Sequence, residues 1–170
     1  MAIEKGIKNF VLRKRNPAPY SFLCKTITTN AANLANRQHN AALVGYILFN
    51  SNAHLMITII PGTNRPQSNT KLVAKEYQRL LAEKGVEAGL LALDELDICR
   101  RNELFTVMEE KYLIPAKNFI IVMPEYNGSF PGILKLMIDL SMVEKAWWHK
   151  KVLLTGVSTG RAGNLRGMEH

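Results

Sequence analysis

Four short apolar runs, separated by stretches of helical periodicity, constrain this chain more than any other feature. Met56 to Ile60, Glu87 to Ala92, Asn118 to Met123 and Lys151 to Thr155 each read as a buried strand. Between the first two, from about Asn69 to Lys84, Leu72, Val73, Tyr77, Leu80 and Leu81 recur at the spacing of one helix face. Gly85 suits the position just past that helix. Roughly Asn102 to Leu113 forms a second helix, with Leu104, Phe105 and Met108 inward and Pro115 as a stop. Pro131 opens a third, in which Ile133, Leu134, Met137 and Ile138 share a face. Strands alternating with helices predict an α/β fold: three layers, with a parallel sheet covered on both faces.

Composition matters mainly through its unevenness. A chain of 170 residues, 47% of them apolar, has material for one core. Residues 1–55 hold seven basic residues (Lys5, Lys8, Arg13, Lys14, Arg15, Lys25, Arg37) against Glu4, and so carry +6 of the net charge of +8. A basic, acid-poor leader suits nucleic acid, an anionic membrane or an organelle-targeting peptide. No basic stripe interleaved with aromatics points to nucleic acid. Ala41 to Phe49 is apolar but shorter than the roughly 20 residues a membrane span needs. The expectation is therefore a basic, poorly ordered extension over 1–55, followed by one domain over 56–170. Cys24 and Cys99 have no CxxC spacing, and His39, His54, His149 and His170 have no ligand spacing, so no metal is expected and a reducing cytoplasm fits.

Right-handed crossovers would bring every strand-to-helix loop to one edge of the sheet. Three such loops are chemically distinctive. Gly62-Thr-Asn-Arg-Pro-Gln-Ser-Asn-Thr70 combines hydroxyls, an amide and one arginine with a helix start, where backbone N–H groups favour an anion such as a terminal phosphate. Capping of the helix by Ser68 or Asn69, which needs no ligand, accounts for the loop equally well when it is taken alone. The loop is neither GxxxxGK[ST] nor GxGxxG, which disfavours a P-loop or a dinucleotide site. Pro124-Glu-Tyr-Asn-Gly-Ser-Phe-Pro131 places an amide and an aromatic ring beside flexible backbone, able to line a flat heterocycle. Ser158-Thr-Gly-Arg-Ala-Gly163 would let backbone approach the ring's other side, although taken by itself it reads better as a plain flexible glycine turn.

These strings, together with Gly132-Ile-Leu-Lys135, Ile138-Asp139 and Gly156-Val157, closely resemble the NADPH-dependent FMN reductase family over roughly Met56 to His170. The resemblance implies a flavodoxin-like fold and a flavoprotein oxidoreductase, with relatives among quinone, chromate and azo-dye reductases. It implies that Thr63, Arg65, Ser68, Asn69 and Thr70 hold the FMN phosphate. Pro124, Glu125, Tyr126, Asn127 and Gly128 would border the isoalloxazine, with Ser158, Gly160 and Gly163 near its far edge. The implied chemistry passes electrons from NADPH or NADH through FMN to a small-molecule acceptor such as a quinone. The flavin supplies that chemistry, so no catalytic side chain is nominated. A homo-oligomer in the cytoplasm, without nucleic acid or a membrane span, is the implied setting. Trp147 and Trp148 suit either an interface or core packing.

The chain departs from the family pattern in one respect. It stops at Arg166-Gly-Met-Glu-His170, where the family's fourth helix would begin, and residues 1–55 match nothing in the family. Truncation after the fourth strand would leave that strand as an exposed edge. The leader is not expected to fill the gap. Two alternatives to the oxidoreductase therefore stand. One is a non-catalytic remnant with weak or no flavin binding. The other is a serine hydrolase, since Gly156-Val-Ser158-Thr-Gly160 fits GxSxG after a strand, with only Glu169 and His170 left downstream as partners.

Overall fold

A computed structural model of the chain describes residues 22–28, 57–160 and 163–170. Five strands form one parallel sheet: β1 (Phe22–Thr28), β2 (Ile57–Pro61), β3 (Ala88–Leu90), β4 (Asn118–Pro124) and β5 (Lys151–Ser158), in the order β1-β5-β4-β2-β3. The helices are α1 (Asn69–Glu83), α2 (Glu103–Met108), α3 (Gly132–Leu140), α4 (Val143–Ala146) and α5 (Leu165–Glu169). The connection from β2 to β3 runs one way across the sheet, and those from β3 to β4 and from β4 to β5 run the other way. Right-handed crossovers therefore put α1 on one face and α2 and α3 on the opposite face.

Side-chain alternation along the strands builds both cores. Ile57 and Ile59 of β2 and Ile120 and Val122 of β4 face α1, where they meet Val73, Ala74, Tyr77, Leu80 and Leu81. Ile60, Phe119, Ile121 and Met123 face the other way, onto Phe105, Met108, Leu134 and Met137. Every residue of β2 and β4 is buried, as befits central strands covered on both sides. Each fully buried side chain of this size contributes roughly 1.5–3 kcal/mol. Trp147 joins the second core, its ring 4.8 Å from Phe119 and its indole N–H donating to Ser141 Oγ, whereas Trp148 is exposed.

Three expectations need correction. Leu72 and Leu104, placed on the inward faces of their helices, are both exposed. The buried row of α1 is instead Thr70, Val73, Ala74, Tyr77, Leu80 and Leu81, and Leu72 lies about 100° off it. After α2 the helix widens into a π-helical turn over Glu109–Leu113, which rotates the inward face and buries Glu109 completely. Arg101 donates to the Glu109 carboxylate at 2.6 Å, and the Met142 N–H donates to its other oxygen, so the buried charge is paired.

The third correction concerns the edge. β5 is not left open, because Phe22–Thr28 pairs with it in parallel from Phe22↔Val152 to Thr28↔Ser158. The physical reason is the row of unpaired N–H and C=O groups that β5 would otherwise present. The leader thus contributes a strand, while Ala41 to Phe49, His39 and His54 lie outside the described residues. Among the described residues no helix is long and apolar enough to cross a membrane, and no group of His, Cys, Asp and Glu could hold a metal ion.

Candidate cofactor site

The sheet reverses its winding between β2 and β4, and in open α/β sheets the crevice at such a reversal, beyond the carboxyl ends of the strands, is where ligands bind. The register aligns those ends: Pro61 lies opposite Val122, and Pro124 opposite Val157. The three loops singled out in the sequence therefore leave one edge side by side.

The first loop turns sharply. The Gly62 N–H donates to Val122 O at 2.8 Å and the Thr63 N–H to Pro61 O at 2.8 Å. A Cβ at Gly62 would sit 2.8 Å from Leu134 Cδ2, so a side chain here would push the Leu134 side chain aside. Thr63 is buried, and its Oγ1 accepts the Arg65 N–H. Ser68 caps α1, its Oγ accepting the Lys71 N–H at 3.1 Å. The first-turn N–H groups of a helix have no acceptor within it, and no acidic residue occupies this first turn. Capping and anion binding are therefore compatible at this helix start. Asn69 is exposed there and Thr70 buried.

Lys71, one turn in, is already engaged. Its ammonium contacts Asp94 at 2.9 Å and Glu95 at 2.7 Å, and these two carboxylates, Glu95 foremost, raise its pKa. The positive charge offered by the first loop is therefore that of Arg65, which is exposed.

The second loop closes as a tight turn. Tyr126 and Ser129 exchange backbone hydrogen bonds of 2.8 and 3.1 Å, with Asn127 and Gly128 both at positive φ between them. That pair of left-handed residues is what Asn-Gly supplies. The Glu125 carboxylate accepts the Gly128 N–H at 2.8 Å, which makes it a structural member of the turn.

Loops one and two are joined directly. The Tyr126 hydroxyl and Thr63 Oγ1 share a hydrogen bond of 2.5 Å, and the Arg65 guanidinium lies 4.1 Å from the centre of the Tyr126 ring. Hydroxyl bond and cation–π contact together tie the phosphate-type loop to the aromatic loop.

The third loop follows β5. The Glu125 N–H donates to Val157 O at 3.0 Å, linking it to the second. Ser158 Oγ accepts the Gly160 N–H at 3.0 Å, and the Gly163 N–H donates to Gly160 O at 3.3 Å. Residues 161 and 162 lie outside the described residues. His170 Nδ1 pairs with Ser129 Oγ at 2.8 Å, not with Ser158. His170 is therefore not placed as a base for the serine of the GxSxG string.

Sequence reasoning missed Asn164. It is buried and left-handed (φ 61°), and its Nδ2 donates to Met123 O at 2.9 Å. Gly156, inside β5, and Gly167, inside α5, make room beside it. A Cβ at Gly156 would meet Gly163 O at 2.6 Å, and one at Gly167 would meet Asn164 Oδ1 at 2.1 Å. A glycine within a strand pattern signals such close backbone approach, and Gly156 was the available clue.

The family model for NADPH-dependent FMN reductase matches residues 55–170. A quinone reductase of Pseudomonas putida is 32% identical over 122 residues, covering 67% of this chain and 65% of the relative. The NADH:(hydroxy)cinnamate reductase subunit CrdA of Vibrio ruber is 30% identical over 117 residues, covering 65% of this chain and 57% of the relative. The chain thus spans less than two thirds of the length of either relative. Among solved structures, apo NADH:FMN oxidoreductase (EMOB) superimposes with a TM-score of 0.55 at 22% identity, over 68% of this chain and 64% of that one. An oxidoreductase of Corynebacterium diphtheriae gives 0.56 at 14% identity, over 70% and 71%. These two likenesses concern the fold, which is flavodoxin-like. The chain belongs to the NADPH-dependent FMN reductase family.

Proposed function

We propose that this protein is an FMN-dependent NAD(P)H oxidoreductase that passes electrons from a nicotinamide to a small acceptor such as a quinone. One observation carries the reading: the Thr63–Tyr126 hydrogen bond, under the Arg65 stack, joins a helix-start loop to an aromatic loop across the reversal point of the sheet. The residues fit a phosphorylated flat ring. The α1 start, Arg65 and the hydroxyls of Thr63, Ser68 and Thr70, with Asn69, suit the phosphate, because the first turn bears no acid and its N–H groups lack helical acceptors. Pro124, Glu125, Tyr126, Asn127 and Gly128 suit one border of the ring, and Ser158, Gly160 and Gly163 the other.

Bound FMN supplies the redox chemistry, accepting and releasing hydride. The protein's part is to grip the phosphate, fix the ring and leave one face open to small molecules. No side-chain acid or base is assigned, and Glu125 keeps its place in the turn. The acceptor class rests on the relatives' names, a quinone reductase and a cinnamate reductase subunit. NADPH appears in the family's description and NADH in one relative's name, so both donors belong in the assay. Exposed Leu104, Val107, Met142, Val143 and Trp148 support self-association of the chain.

The test is an anaerobic titration of purified full-length protein loaded with FMN. NADPH or NADH should bleach the visible flavin band, and added benzoquinone should restore it with stoichiometric formation of hydroquinone. Protein that holds no FMN would favour the non-catalytic remnant. Protein that holds FMN but is not reduced by either nicotinamide would overturn the oxidoreductase assignment.

A further inference from the structure

We infer that Asn164 is a positioning residue that sets the spacing between the second and third loops, and so the width of the slot offered to the ring; this rests on the flavin reading above. Asn164 is 2% exposed, and its amide donates to the last carbonyl before Pro124, that of Met123. This one bond pins the end of the third loop to the start of the second.

Two glycines complete the lock. At Gly156 the third loop folds back so closely that Gly163 O occupies the place a Cβ would take. At Gly167 the first turns of α5 press on Asn164 from one side and on the Ser129 backbone from the other, at 2.1 Å and 2.9 Å from an imagined Cβ. β5, α5, the end of β4 and the second loop thus meet at a single buried amide.

The amide's oxygen, Oδ1, has no hydrogen-bond partner. A buried acceptor left unpaired is costly, and a chain under no constraint here would be better served by an apolar residue. The Nδ2 bond to Met123 O and the left-handed backbone, which asparagine tolerates better than most residues, are what the site gains in return. Turning the amide over would set two carbonyl oxygens against each other, so the orientation is fixed.

The experiment uses the full-length protein and two readouts. The first is the affinity for FMN and for riboflavin, which lacks the phosphate, in wild type, Asn164→Ala, Gly167→Ala and Ser68→Ala. Asn164→Ala and Gly167→Ala should weaken both flavins by the same factor, about tenfold, corresponding to one lost buried hydrogen bond. Ser68→Ala should weaken FMN alone. The second readout is amide exchange without flavin. Asn164→Ala should speed exchange together in 125–129 and 163–168, with β2 and α1 unchanged as a check that the protein is folded.

Unchanged affinity in Asn164→Ala, or a loss confined to FMN, would overturn the proposal. So would exchange that rises in only one of the two segments. If wild type binds neither flavin while exchange in both segments rises together, the flavin reading fails and the lock stands.

Discussion

Tyr126 serves the site in two ways that a single substitution separates. Its hydroxyl bonds Thr63, and its ring stacks on Arg65. Tyr126→Phe keeps the ring and removes the hydroxyl, so FMN affinity should fall by about three- to tenfold, as expected of one partly buried hydrogen bond. Isothermal titration checks this, and unchanged affinity would show that the two loops hold together without the bond. Glu109 serves stability instead. It is fully buried against Arg101 and the Met142 N–H. Glu109→Ala should destabilise by about 2 kcal/mol in urea unfolding, because it leaves a void and takes the acceptor from the Met142 N–H. Tyr126 was legible in the sequence, since an aromatic ring beside Asn-Gly after a buried strand announces a loop built to present something. Glu109 and Asn164 were not. Their roles are set by partners 33 and 41 residues away along the chain, which no local pattern encodes.

At the scale of the elements, strands and turns were the easiest to read. β2 and β4 declare themselves by apolar runs with no polar interruption, and Gly85, at φ 73°, stands where α1 had to stop. The faces of the helices were harder. Leucine at positions 72 and 104 is as apolar as its neighbours, yet the sheet determines which side is covered, and the π-helical turn at Glu109–Leu113 shifts the register within one helix. That turn has its own prediction. Lys150 donates to Leu113 O and Ile114 O at its end, and burial, helped by Lys117, holds the ammonium down to about 8. In the unfolded chain the proton stays on to an ordinary value near 10.5, so the unfolded state binds more protons between these limits. Stability contributed by this group therefore rises as pH climbs from about 8 to 10.5. Measured by urea unfolding, the difference between wild type and Lys150→Met should move in favour of wild type across that range. A difference independent of pH would contradict the assignment.

Among the described residues the strands form one five-stranded sheet whose edge strand comes from the leading segment of the sequence. Nothing in the pattern of residues 22–28 distinguishes an edge strand from an isolated apolar stretch, so the pairing of β1 with β5 depended on the vacancy beside β5 rather than on a local signal. In a parallel ladder alternate residues direct their backbone groups to the same neighbour. One of Thr26→Pro and Ile27→Pro should therefore break the pairing, and that variant should show faster amide exchange along Lys151–Ser158 than the other. Equal exchange in both variants would mean the edge is not held by β1. The proposed function requires three loops at one end of this sheet to grip one phosphorylated flavin. Parallel titration of wild type and Arg65→Ala with FMN and riboflavin tests it most directly. The account predicts that wild type binds FMN more tightly than riboflavin and that Arg65→Ala removes most of that preference. Equal affinity of wild type for the two flavins, or binding of neither, would contradict it.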